Sequence, residues 1–81
     1  MGRLIRIEVN LEDAPGSLWR LLGIIAKEKA NILHIFHDRL DLENPIYVTR
    51  VKLHLETRGP DHAREVLEKL RNTGYQVRQV L

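Results

Sequence analysis

The spacing of the apolar residues changes along this chain in an order that few folds can accommodate. Residues 3–11 alternate between apolar and polar side chains, which is typical of a strand with one buried face. Residues 15–29 instead repeat leucine and isoleucine every three or four positions, as an amphipathic helix does. Strand-like patterns return at 30–40 and 46–57, and the polar turn of residues 41–45 between them predicts a hairpin.

A second helix and a final strand complete the order. Pro60 suits the first turn of that helix, where its missing N–H is no loss, and Gly74 is a natural stop. Residues 75–81 then form the closing strand. The order β-α-β-β-α-β with right-handed crossovers predicts an α+β fold, the ferredoxin-like sandwich, with four antiparallel strands and both helices on one face. The length of 81 residues fits one such domain, spanning 1–81.

The composition excludes several classes of function. The chain has no cysteine, which excludes disulfides, zinc fingers and thiol nucleophiles. Its apolar runs are far shorter than the roughly 20 residues that span a bilayer, so no membrane partner is expected. No secretory segment precedes the first strand, and we expect a cytoplasmic location. The net charge of +2 is small and scattered, and we expect no nucleic-acid partner.

The junction between the first strand and the first helix is the candidate functional motif. It reads Ala14-Pro15-Gly16-Ser17. A helix N-terminus presents unpaired N–H groups and a partial positive charge, which together attract an anion. Gly16 lacks the side chain that would keep a ligand from the backbone, and Asn31 adds two donors and an acceptor. A small zwitterion fits this set, although a plain turn at the helix start explains the same Pro-Gly pair.

Three structural expectations follow for this junction. Asp13 is expected to cap the first helix, with Pro15 in its first turn, although Ser17 or an extra turn could shift the start. The junction is expected beside the start of the second strand, either within one chain or across a dimer. Gly16→Val is expected to abolish ligand binding with little effect on the fold.

The order of these motifs resembles the ACT domain family. In that family a strand leads to D-x-P-G-x-L, then a helix, then a small residue followed by N-I. The matching residues here are Asp13, Pro15, Gly16, Leu18, Ala30, Asn31 and Ile32. Residues 55–77 resemble the ACT domain that ends some threonine dehydratases, also called threonine ammonia-lyases. The likeness covers nearly the whole chain.

The resemblance implies a regulatory module that binds an amino acid and controls a metabolic enzyme. ACT domains commonly pair side by side through the edge strand and the first helix, with ligands at that interface. A homodimer or higher homo-oligomer is therefore implied, with a branched-chain ligand such as isoleucine or valine. The amides of Ser17 and Leu18 would bind the ligand carboxylate. The ligand-binding residues that the resemblance implies are Asp13, Ala14, Pro15, Gly16, Ser17, Leu18, Asn31, Ile32 and Leu33.

Two points limit what the resemblance implies. The pyridoxal-phosphate catalytic domain of the dehydratases has no counterpart in this sequence, so no catalytic residue and no cofactor are expected. The same fold could also serve as a ligand-free oligomerisation or protein-interaction module, supported by apolar contacts around Ile32, Ile35 and Phe36.

The open face of the predicted sheet suggests other functions, none of which we favour. It carries Arg6, Glu8, Asn10, His34, Phe36, Arg50, Lys52, His54 and Arg78. No metal site is expected, because zinc needs three or four convergent ligands and His37 should point away from His34. RNA-recognition domains share the topology but need aromatic residues on the two central strands, where we expect none. An acylphosphatase-like enzyme would need an arginine in the loop after the first strand, which this loop lacks.

Overall fold

The structure, a computed structural model, describes residues 3–12, 14–38 and 48–80. Within these ranges the chain forms four strands and two helices in the predicted order. They are β1 (Leu4–Glu12), α1 (Ser17–Lys27), β2 (Asn31–Asp38), β3 (Val48–Glu56), α2 (Pro60–Thr73) and β4 (Gln76–Val80). The predicted cap at Asp13 and the predicted turn at 41–45 lie outside the described residues.

The strands form an antiparallel sheet in the order β2-β3-β1-β4. β1 pairs with β3 along its whole length and with β4 on its other side. β2 pairs with β3, with a register shift between Ile32 and His34. The predicted ferredoxin-like class is confirmed, and β2 and β4 are the two edge strands.

One face of the sheet is buried under both helices. The predicted alternation is confirmed on β1 and β3, and the predicted apolar stripe of α2 is buried throughout. Full burial of a leucine, isoleucine or valine side chain contributes about 1.5–3 kcal/mol, so this layer is the main source of stability. The core consists of Ile5, Ile7, Val9, Leu11, Leu21, Ile25, Ala30, Val51, Leu53, Leu55, Ala63, Val66, Leu67 and Leu70.

The first helix begins later than predicted. Its N-cap is Gly16, with φ of 85°, so Pro15 lies in the turn before the helix and not in its first turn. The expectation for Pro15 was therefore wrong. The reason is local, because a residue in the left-handed region cannot continue a right-handed helix toward the N-terminus. α2 matches its prediction at both ends, with Pro60 in its first turn and Gly74 at its C-cap.

The first helix also ends earlier than predicted. It stops at Lys27, and Lys29 has φ of 64°, the left-handed region that glycine normally occupies after a helix. The Lys29 N–H donates to the Ala26 carbonyl (3.0 Å) and the Ala30 N–H donates to the Ile25 carbonyl (3.3 Å). These two bonds satisfy carbonyls of the last turn and direct the chain into β2.

No helix in the described part of the chain is long and apolar enough to cross a membrane.

Candidate functional site

The loop after β1 is a backbone-bonded turn with an exposed surface. The Ala14 N–H donates to the Glu12 carbonyl (2.9 Å), and the Ser17 N–H donates to the Ala14 carbonyl (3.2 Å). Ala14, Pro15 and Gly16 are exposed. The loop therefore leaves the start of α1 facing solvent at Ala14, Pro15 and Gly16.

The first turn of α1 offers amides that could bind an anion. The Ser17 amide is already bonded to Ala14, whereas the amides of Leu18 and Trp19 have no hydrogen-bond partner among the described residues. The described first turn contains no acidic side chain to offset the positive end of the helix dipole. Among the described residues, the amides of Leu18 and Trp19 are therefore open to an anion, whereas the amide of Ser17, the other predicted donor, already has a backbone partner. The sequence suggests Trp19 as a pocket wall, a dimer contact or a partly buried helix residue, but not its amide as a donor.

Gly16 is required by its backbone conformation. Its φ of 85° is one that residues with a side chain rarely adopt. A Cβ at this position would meet no atom within 4 Å, so space around the residue is not the constraint. The expectation that Gly16→Val leaves the fold nearly unchanged was therefore wrong, because any side chain here strains the turn that starts α1.

Two glycine substitutions should shift stability in opposite directions. Gly16→Ala is expected to lower the free energy of unfolding by about 1 kcal/mol, because alanine disfavours the left-handed region. Gly23→Ala should raise it by about 0.5–1 kcal/mol, since Gly23 is exposed within α1 and has open space for a Cβ. Urea denaturation of both variants measures the change in the free energy of unfolding. Equal effects of the two substitutions would contradict the assignment of Gly16 as a conformational glycine.

The second half of the predicted site lies at the opposite end of the sheet from this loop. Asn31 pairs with Glu56, which in turn pairs with Leu4 at the start of β1. Glu12, where the loop begins, pairs with Val48 at the other end. The strand between these two ends is about 26 Å long, at roughly 3.3 Å per residue. The alternative in which loop and Asn31 are neighbours within one chain is therefore wrong.

Asn31 lies in a positively charged depression of about 450 Å³. Its side-chain Nδ2 donates to Glu56 Oε1 on the neighbouring strand (3.3 Å). The cations around this depression outnumber its carboxylate, so its field attracts anions. The lining residues are Arg3, Lys29, Asn31, Glu56, Thr57 and Arg58.

The edge strand β2 and the neighbouring helix expose apolar side chains. Leu33, Ile35 and Phe36 are 46%, 41% and 50% exposed, and Trp19 on α1 is 77% exposed. Ile32 is half-buried and packs against the core. An edge strand with unpaired backbone groups and exposed apolar side chains favours pairing with another chain.

The open face of the sheet carries the predicted polar set, together with a small cluster of rings. His34 and His54 face each other on this side, as predicted, with ring centroids 5.5 Å apart. The ring centroid of Phe36 lies 6.0 Å from that of His34 and 5.3 Å from that of His54. The expectation of no ring on a central strand overlooked the imidazole of His54 on β3. The described residues contain no group of three or more histidine, cysteine or acidic side chains that could hold a metal ion.

Comparison with known proteins identifies close sequence relatives. The ACT domain family profile matches residues 5–74. L-threonine ammonia-lyase of Geobacter sulfurreducens is 47% identical over 76 residues, which cover 94% of this chain and 19% of the relative. L-threonine ammonia-lyase of Thermotoga maritima is 43% identical over 79 residues, which cover 98% of this chain and 20% of the relative. The chain thus spans about a fifth of the length of these enzymes.

Solved structures share the fold at lower identity. The ACT domain of a GTP pyrophosphokinase from Chlorobium tepidum superposes with a TM-score of 0.71 at 24% identity, covering 95% of this chain and 96% of that one. The regulatory subunit of aspartate kinase from Thermus thermophilus superposes with a TM-score of 0.72 at 16% identity, covering 99% of this chain and 52% of that one.

Proposed function

This chain belongs to the ACT domain family, and on that premise we propose that it is a regulatory domain that binds a free amino acid between two copies of itself. The observation that carries the proposal is the separation of the two halves of the motif. The loop that leads to the amides of Leu18 and Trp19, which have no partner among the described residues, lies at one end of the sheet, and the strand start with Asn31 lies at the other. A second copy of the chain is the simplest way to bring them together.

The edge strand β2 supplies the geometry for that pairing. If β2 pairs antiparallel with β2 of a second copy about a two-fold axis, the start of one strand lies beside the end of the other. The Asn31 end of one copy then approaches the end of the other copy where its loop precedes α1. Two equivalent sites result, each with a loop from one protomer and a strand start from its partner.

Apolar burial would stabilise this homodimer. Leu33, Ile35 and Phe36 on β2 and Trp19 on α1 are exposed in the single chain. Each Å² of apolar surface removed from water contributes about 25 cal/mol. Pairing at β2 also satisfies the backbone groups of an edge strand, and it extends the sheet of each copy into one of eight strands.

The proposed ligand is an amino acid with a branched aliphatic side chain, isoleucine or valine. Its carboxylate would bind the amides of Leu18 and Trp19 at the N-terminus of α1. Asn31 of the other protomer would bind its polar groups, and Ile32 and Leu33 would contact its side chain. Ala14, Pro15, Gly16 and Ser17 would form the loop wall, together with Asp13, which lies outside the described residues.

The proposed role is control of an enzyme of amino-acid metabolism, in the cytoplasm. The two sequence relatives described above are L-threonine ammonia-lyases, and one of the structural relatives is an aspartate kinase regulatory subunit. We propose no catalytic step and no cofactor for this chain. A ligand-free oligomerisation module is the second candidate, because the exposed β2 edge would stabilise a dimer with or without an amino acid.

An amide NMR titration of the labelled chain tests this proposal. Each of the twenty amino acids is added to the protein, isoleucine and valine first, with D-isoleucine as the control for stereospecific binding. We expect saturable shifts at the amides of residues 14, 16–19 and 31–33 with an L-amino acid and none with D-isoleucine. A dimer whose spectrum responds to none of the twenty amino acids would favour the ligand-free module instead.

A further inference from the structure

His62 is a buried histidine that joins the ends of the two helices. It lies in the first turn of α2 and is 6% exposed. Its Nδ1 accepts a hydrogen bond from the Arg58 backbone N–H at 2.9 Å. Its Nε2 lies 2.5 Å from the carbonyl oxygen of Glu28, which is 34 residues away in sequence and is the C-cap of α1. None of the proposed ligand contacts involves this side chain.

The two partners fix the state of the imidazole. The Arg58 N–H can only donate and the Glu28 carbonyl can only accept, so both contacts are hydrogen bonds when the ring proton is on Nε2. A doubly protonated ring would turn an Nδ1–H toward the Arg58 N–H. One imidazole therefore satisfies a backbone donor at the start of α2 and a backbone acceptor at the end of α1.

The bond to Glu28 holds the turn that leads to Asn31. Lys29, the next residue, has φ of 64°, a backbone conformation that residues with a side chain rarely adopt. Such a conformation persists only where its surroundings hold it. The backbone bonds of Lys29 and Ala30 hold the turn from the helix side, and His62 holds it from α2. The direction in which Asn31 enters β2 depends on this turn.

We propose that His62 is a positioning residue of the amino-acid site. It locks the turn at 28–30 in the orientation that presents Asn31, and it connects that turn to the N-terminus of α2. A ligand that moves Asn31 would thereby move the start of α2, which gives the site a route to a second surface. This inference rests on the proposed function.

Two variants separate the two hydrogen bonds of the ring. The amide of His62→Gln reaches about as far as Nε2 and can donate to the Glu28 carbonyl. The side-chain oxygen of His62→Asn reaches only as far as Nδ1, so it can accept from the Arg58 N–H while the bond to Glu28 is lost. His34→Gln, at an exposed histidine of β2, is the matched control.

Hydrogen exchange of the ligand-free chain tests whether the bond from His62 to Glu28 holds the turn at 28–30. We expect the Lys29 and Ala30 amides to exchange about fivefold faster in His62→Asn, and at the wild-type rate in His62→Gln and His34→Gln. Nitrogen NMR of the wild-type imidazole should report the Nε2-protonated tautomer, and its Nε2 signal should shift when isoleucine is added. Unchanged exchange in His62→Asn, or the Nδ1-protonated tautomer, would contradict the claim that the bond from His62 to Glu28 holds the turn at 28–30.

Isoleucine binding tests the consequence for the site. We expect about threefold weaker binding by His62→Asn and wild-type binding by His62→Gln. If all variants bind isoleucine equally although the Lys29 and Ala30 amides exchange faster in His62→Asn, the positioning role is overturned, while His62 still holds the turn at 28–30. A further outcome is that the wild type binds neither isoleucine nor valine although the Lys29 and Ala30 amides still exchange faster in His62→Asn. In that case the proposed branched-chain site fails, and the positioning role fails with it.

Discussion

Replacing Ile35 with lysine is expected to dissociate the proposed dimer, raising its dissociation constant at least a hundredfold. Ile35 lies on the edge strand β2, on the helix side of the sheet opposite Leu53, and is 41% exposed in the single chain. A two-fold axis brings both copies of the substituted residue into the same interface. Burial of unpaired charges costs several kcal/mol, and about 2.7 kcal/mol already corresponds to a hundredfold. Sedimentation velocity across a concentration series measures the effect.

The matched control is Gln79→Lys on the other edge strand. Gln79 is exposed on β4 and pairs with Ile7, so it lies on the same side of the sheet as Ile35. This variant is expected to remain a dimer. Dissociation of Gln79→Lys but not of Ile35→Lys would assign the interface to β4. If both variants stay dimeric, neither edge forms the interface.

Replacing Asn31 with alanine is expected to weaken amino-acid binding at least tenfold. In the proposed site Asn31 binds a charged group of the ligand, and hydrogen bonds to charged groups contribute about 1.5–3 kcal/mol. About 1.4 kcal/mol corresponds to a tenfold change in affinity. The substitution should leave the fold intact, because Asn31 is exposed and its described side-chain bond is one 3.3 Å contact with Glu56. Calorimetric titration with isoleucine measures the loss.

Asn10→Ala serves as the control for this substitution. Asn10 is also an exposed asparagine of a strand, and it donates to Gln76 on a neighbouring strand at 3.0 Å. It takes no part in the proposed site, so its replacement should leave the affinity unchanged. If the two variants bind isoleucine equally well, the start of β2 does not belong to the site.

The fold follows from two periodicities that the sequence shows directly. The alternation at Ile5, Ile7 and Val9 predicts the strand without a structure. Successive side chains of a strand point to opposite faces of the sheet, so the apolar set must face the core. The ends of α1 could not be predicted in the same way. They depend on the positive φ of Gly16 and Lys29, and a lysine in that conformation has no sequence signature.

The candidate site was predicted as two segments, but their relation needed the sheet register. The motif around Gly16 and the segment at Asn31 are both recognisable, yet sequence alone left open whether they meet within one chain. The pairing of Asn31 with Glu56 excludes that alternative. His62 had no local signal, because its partner Glu28 is distant in sequence and a histidine in a first helical turn is ordinarily exposed.

The central claim, a site built from two copies, is tested most directly by complementation. Ala14→Glu places a carboxylate beside the amides of the exposed loop, where it competes with the carboxylate of the ligand. Asn31→Ala damages the other half of the site. Each variant alone should bind isoleucine poorly, because both sites of its homodimer are damaged.

The decisive measurement is isoleucine binding by the two variants after they are refolded together. Random pairing makes about half of the dimers mixed, and each mixed dimer has one intact site, so about a quarter of the wild-type sites should reappear with wild-type affinity. Native mass spectrometry verifies that mixed dimers have formed. No recovery of high-affinity sites in such a mixture would contradict a site shared between two copies of the chain.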